Sequence, residues 1–291
     1  VGGVFTNLVG GAATTWTGST LVINSGSSYT INTKAAGGDV YNTLTIGSST
    51  ALRAWDSTAT AISLSDTVSS LYSQDHAGVS GSLYIFGNYG RTTGTDYWSY
   101  ATDFDGSALG GSSRQAFVYI ASGATTTLRG GTLNIIGAVG FDTTISNQGS
   151  GTYALTITGG TFNAQYYSLS NMNGDGLNLS GDTTLISSLT EGNFTLAVNG
   201  GSLITISSTT LNYNTGLTFT GNSFATTTAI TGANVEVVGS TPGAWTFSGH
   251  TGNFDGEAFD SDGVDDCGSI RWDDSTCLLT QQSAFRFRND D

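Results

Sequence analysis

Leu128-Arg129-Gly130-Gly131-Thr132-Leu133 recurs as Ile157-Thr158-Gly159-Gly160-Thr161-Phe162 and again as Val198-Asn199-Gly200-Gly201-Ser202-Leu203. Looser echoes follow at Phe219-Thr220-Gly221-Asn222-Ser223-Phe224 and at Phe247-Ser248-Gly249-His250-Thr251. The common form is apolar, polar, glycine, glycine or polar, hydroxyl, and usually a second apolar residue. Glycine permits positive φ at a sharp corner, and Ser, Thr or Asn can satisfy backbone groups there. The flanking apolar residues then point into a shared core. Successive copies are 29, 41, 21 and 28 residues apart. Imperfect units of about twenty to thirty residues, each one coil, are what a β-solenoid requires. The 41-residue step predicts an extra partial coil or an excursion near residues 171–181.

A second phrase runs Val22-Ile23-Asn24-Ser25-Gly26-Ser27-Ser28-Tyr29 and reappears at residues 44–52 and 119–125. Between these corners lie short runs such as Thr20-Leu21-Val22-Ile23, Ser82-Leu83-Tyr84-Ile85-Phe86 and Phe117-Val118-Tyr119-Ile120. Four to six residues rich in Thr, Val, Ile and Tyr, closed by turn formers, read as strands. A Greek-key sandwich shows strands at the same spacing but gives no reason for the repeated phrase. The expected fold is therefore all-β, a parallel β-solenoid (β-helix) over residues 1–252. Residues 88–115, with Tyr97, Trp98 and Tyr100, break the pattern and predict a loop excursion.

Composition agrees with this expectation. The 291 residues include 42 glycines, one proline and a single lysine, Lys34, which excludes both long solvated helices and collagen. Fourteen Phe, twelve Tyr and five Trp supply enough apolar surface to offset ordering entropy. A net charge of −14 argues against nucleic acid and against an anionic membrane surface as partners. No run of about 18 apolar residues exists, so no transmembrane helix is expected. The sequence begins at Val1, which fits either a removed signal peptide or a segment of a longer product.

Residues 255–291 carry 10 of the 22 acids and 3 of the 8 basic residues, a net charge of −7. Asp255, Asp260, Asp262, Asp265 and Asp266 alternate around Gly256 and Gly263, a pattern able to converge on Ca²⁺. The alternative is a solvated acidic loop. Cys267 and Cys277, nine residues between them, predict one local disulfide in a secreted protein, with two reduced thiols as the competing state. The final run Ala284-Phe285-Arg286-Phe287-Arg288 alternates apolar and basic residues and reads as an amphipathic strand. Residues 253–291 are thus expected to form a small acidic, disulfide-bearing cap over the open coil edge. Alternatively they offer Phe285, Arg286, Phe287 and Arg288 as an assembly strand to another copy.

The acidic stretch resembles calcium repeats of the thrombospondin type, where Asp-x-Asp-Gly precedes a further Asp and a Cys. The whole pattern resembles secreted bacterial surface proteins built on β-helices: autotransporter passengers, filamentous adhesins and giant Gly/Ser/Thr-rich cell-surface proteins. The tail phrase Arg286-Phe287-Arg288-Asn289-Asp290-Asp291 is similar to one found in the last of these. The resemblance implies an extracellular, structural or adhesive protein. Its partners would be copies of itself, other surface proteins, or glycans.

Enzymatic readings find little support in the residues. The best acid pair for glycoside hydrolysis is Asp103 and Asp105, with Asp96 nearby and Tyr97, Trp98 and Tyr100 for sugar stacking. A carbohydrate-active site at 96–105 is the alternative to a structural role. No nucleophile elbow, His-Glu-x-x-His or phosphate-binding loop occurs. The expectation is a non-enzymatic protein.

Overall fold

A computed structural model describes nine short strands between residues 15 and 99, and then residues 115–227, 231–240, 242–263 and 268–273. Side chains are described at 89–91, 95–96 and 98, and through the segments from 115 onward. The first strands are β1 (Thr15–Ile23), β2 (Ser28–Asn32), β3 (Val40–Ile46), β4 (Ala51–Trp55) and β5 (Ala61–Ser63). They are followed by β6 (Ser70–Ser73), β7 (Gly81–Ile85), β8 (Asn88–Arg91) and β9 (Thr95–Ser99). Next come β10 (Ala116–Ala121), β11 (Thr125–Leu128), β12 (Thr132–Ile136), β13 (Thr143–Gln148) and β14 (Tyr153–Ile157). Two long strands, β15 (Gly160–Ser170) and β17 (Thr184–Leu196), alternate with β16 (Met172–Leu179) and β18 (Gly201–Ser207). The last elements are α1 (Ser208–Tyr213), β19 (Thr218–Thr220), β20 (Ser223–Thr226), β21 (Gly232–Val238), β22 (Trp245–Ser248) and β23 (Ile270–Trp272).

All pairings between these strands are parallel, and they fall into three columns that form the sides of a β-solenoid. Face A stacks β1, β3, β6, β9, β12 and the first halves of β15 and β17. Face B stacks β2, β4, β7, β10, β13, the second halves of β15 and β17, and β20. Face C runs β5, β8, β11, β14, β16, β18 and β21. The parallel solenoid read from the repeats is therefore the fold.

Coil length varies with the loops. Phe117 pairs with Thr144, 27 residues on, whereas Ile145 pairs with Leu169, 24 on, and Phe194 with Phe224, 30 on. The corner from face A to face B takes a single left-handed residue in four successive coils: Tyr166 (φ 51), Glu191 (φ 53), Gly221 (φ 69) and Gly249 (φ 59). One such residue bends the chain without ending the pairing. This is why β15 and β17 run unbroken through the corner and join faces A and B in one 13-stranded sheet.

Alternation sends every second side chain inward. Val118, Ile145, Leu169, Phe194 and Phe224 stack up face B, and Leu128, Ile157, Leu179, Ile206 and Val237 stack up face C. Each fully buried side chain of this size contributes about 1.5–3 kcal/mol. Towards the C-terminus the interior turns aromatic, with Phe194 on Phe224 at 5.4 Å and Phe247 on Trp272 at 5.0 Å. Outward positions carry polar ladders. Asn163 donates to Asn134 at 3.0 Å across face A, and Ser170 to Ser146 at 3.0 Å across face B.

On face A above β17 the short helix α1 replaces a strand, so backbone groups of β17 lose their usual partners. Two buried asparagines substitute for them. Asn214 accepts from Ile186 N at 2.9 Å and donates to Thr184 O at 2.7 Å. Asn222 accepts from Gly192 N at 2.9 Å and donates to Leu189 O at 2.9 Å. A side-chain amide has the same donor–acceptor pair as a peptide group, which lets the parallel stack resume at β19 and β20.

Three expectations need correcting in detail. The repeated phrase does not mark one corner: Gly130-Gly131 and Gly159-Gly160 lie between faces C and A, Gly200-Gly201 between B and C, and Gly221 between A and B. The 41-residue step spans a whole coil plus two further sides, which is the extra partial coil expected there, and residues 171–181 hold β16 rather than an excursion. The break expected at 88–115 does not begin at 88, because β8 and β9 pair in register with β11 and β12. Nor does the stack stop at residue 252. Ser261 bridges to Glu236, and β23 pairs with β22.

Candidate functional site

The acidic stretch expected to hold calcium lies on this last coil, and its carboxylates point to different partners. Asp255 Oδ2 is 3.0 Å from His250 Nδ1, and Asp260 Oδ2 accepts from the Trp272 indole N–H at 2.7 Å. Asp262 Oδ2 accepts from the Ile270 backbone N–H at 2.8 Å. Asp273, which the sequence reading did not single out, accepts from Gly249 N at 2.7 Å through Oδ2 and lies 3.1 Å from His250 Nε2 through Oδ1.

His250 is therefore held between two carboxylates, with its ring edge-on to Trp272 at 4.8 Å. The turn Glu257–Phe259 sits between these acids, and Phe254 packs on Phe259 at 4.7 Å. Phe254 is buried, which closes the side of the core beneath the turn.

The chemistry of this arrangement is that of a staple. Asp260, Asp262 and Asp273 accept hydrogen bonds, Asp255 and Asp273 face the imidazole, and each contact ties one part of the last coil to another. Ca²⁺ needs six to eight oxygens converging at about 2.3–2.6 Å. Among the described residues no three His, Cys, Asp or Glu side chains gather in that way. Asp265, Asp266, Cys267, Cys277, Phe285, Arg286, Phe287 and Arg288 lie outside the described residues.

The carbohydrate candidate at 96–105 is divided. Asp96 and Trp98 are inward residues of β9, 1% and 0% exposed, so neither is available to a sugar on the outer surface. Asp96 instead forms a buried ion pair with Arg91 and accepts from the Tyr89 hydroxyl at 2.5 Å. Burial, with Asp96 alongside, pushes the Tyr89 phenol well above its usual range. Burial works against the Arg91 charge, but Tyr89 and Asp96 outweigh it and hold the guanidinium protonated. Asp103, Asp105 and Tyr100 lie outside the described residues.

The sequence contained a signal for this cluster that went unused. Period-two alternation puts Tyr89 and Arg91 on one side of β8, and Asp96 and Trp98 on one side of β9. Reading 88–115 as a loop concealed it. No comparable signal marks the staple, since Asp273 lies 23 residues from His250 and only the coil closes that distance.

Comparison with protein-family models, with curated proteins and with solved structures yields no match to this chain.

Proposed function

We propose that this protein is an extracellular structural or adhesive β-solenoid, a subunit of a filament or surface layer assembled through β-strand contacts. One observation carries the proposal. Face C runs through seven parallel strands, and the described outer sides of the solenoid bear hydroxyl and amide ladders with few charges. Parallel stacking of this kind is suited to β-addition between copies. The commitment of Asp255, Asp260, Asp262 and Asp273 to staples gives further support, because those side chains serve the scaffold. Secretion to the cell surface is part of the proposal and rests on composition and on the resemblance described above.

Ca²⁺ held among Asp255, Asp260, Asp262, Asp265 and Asp266 is part of the proposal, and a melting temperature unchanged by EDTA would remove it. The carbohydrate-active alternative rests on Asp103 and Asp105. It predicts that Asp103→Asn abolishes cleavage of a polysaccharide, and absence of cleavage across a glycan panel eliminates it. Assembly itself is tested by sedimentation at rising concentration. Growth of large species supports a subunit, and a monomer at all concentrations contradicts it.

A further inference from the structure

Arg91 and Asp96 occupy inward positions on two adjoining sides of one coil, at the end of β8 on face C and within β9 on face A. Stacked on them in the next coil are Leu128 and Leu133, and on those Ile157 and Phe162. In each of these coils the two positions are five residues apart in sequence. The chain thus builds the same corner three times, twice from apolar pairs and once from a buried ion pair whose side chains are 2% and 1% exposed.

The exchange has a physical consequence. Corners lined by aliphatic pairs are interchangeable, because one buried leucine replaces another at little cost, and a repetitive chain can then pair its coils in more than one register. A buried charge tolerates no such exchange. In the native register Leu128 and Leu133 stack on the two residues while the charges meet each other across the corner. A register that moves the corner parts them and leaves each with aliphatic neighbours alone, and an unpaired buried ion is far costlier than an imperfect apolar contact. The Tyr89 hydroxyl on Asp96 extends the same requirement to a third side chain.

We propose that the Arg91–Asp96 pair is a register lock, which fixes the pairing of the β8–β9 coil against its neighbours by rejecting every alternative that separates the two charges. Its contribution is to uniqueness of the fold rather than to its stability. A subunit that assembles through strand edges depends on that uniqueness, since a slipped coil would present a different edge.

Hydrogen–deuterium exchange of the full chain, read by mass spectrometry together with thermal melting, tests the lock. Arg91→Leu and Asp96→Leu, made singly, strand one buried charge and lower the melting temperature by about 10 °C. The double variant Arg91→Leu/Asp96→Leu copies the Leu128/Leu133 corner. It is expected to melt at or above the wild-type temperature, while peptides from 88–99 and 125–136 exchange as two populations instead of one. A double variant with a single population and wild-type protection overturns the proposal. So does one that melts as low as the single variants, because the pair would then be an ordinary stabilising contact.

Discussion

The indole N–H of Trp272 donates to Asp260 Oδ2 at 2.7 Å, fastening the final described strand to the chain segment that wraps beneath it. Trp272 is fully buried and its ring stacks on Phe247, so the bond orients the last large side chain of the aromatic core. Asp260→Ala leaves a buried donor without a partner and is expected to cost about 1–3 kcal/mol. Asp260→Asn keeps an acceptor and costs less. Denaturant titration followed by tryptophan fluorescence checks both, and equal stability of Asp260→Ala and wild type would show that the bond holds nothing.

Asn214 and Asn222 act as backbone surrogates beside β17. Asn222→Ala strands Gly192 N and Leu189 O, and Asn214→Ala strands Ile186 N and Thr184 O. Each substitution is expected to lose on the order of 3 kcal/mol. Asn222→Asp keeps an acceptor for Gly192 N but sets a buried carboxylate oxygen against Leu189 O, and should cost at least as much as the alanine. A midpoint shift worth less than about 0.5 kcal/mol for either alanine variant would contradict the substitution role.

Alkaline pH separates the buried tyrosines from the exposed ones. Burial raises the phenols of Tyr153 and Tyr167 above the ordinary value of 10.0, and burial with Asp96 does the same for Tyr89. Below pH 10 these groups are protonated in both states and pH has no effect through them. Above it the unfolded chain ionises first, so stability falls by up to about 1.4 kcal/mol per pH unit for each tyrosine until unfolding. Phenolate absorbance should show a late step coincident with loss of the circular dichroism signal. Titration of every tyrosine near pH 10 with the fold intact would refute the burial.

Coil stacking leaves no room at Gly137, where an added Cβ would lie 2.0 Å from the Tyr166 carbonyl oxygen in the next coil. Gly137→Ala is expected to cost about 3 kcal/mol or more. Gly123, at φ +76 with open space around it, supplies the control, because Gly123→Ala bears only the left-handed backbone penalty of about 1–2 kcal/mol. Equal effects at the two sites would argue against the close approach of successive coils.

The repeated glycine phrase carried the fold because a corner needs a special backbone residue and a nearby hydroxyl or amide, whichever side of the solenoid it turns. For the same reason the phrase could not say which corner it marked. Gly160 and Gly201 look alike in sequence and sit at different corners. Tyr166 and Glu191 supply the left-handed residue of their corners in place of glycine, so β15 and β17 gave no sign that they bend. The acids of 255–262 were legible as a cluster, but their partners were not. His250, Ile270 and Trp272 lie 5, 8 and 12 residues from them, spacings without a common period. Arg91 and Asp96 were hidden by the opposite effect, since a charged pair amid glycine and threonine looks like a surface loop until alternation is followed through β8 and β9.

A density map of the native material at a resolution that separates strands tests the central proposal most directly. Rungs about 4.8 Å apart should continue from the last coil of one copy into a strand of the next, in filaments or a layer. Isolated single-copy particles at high concentration, with coil edges facing solvent, would contradict it.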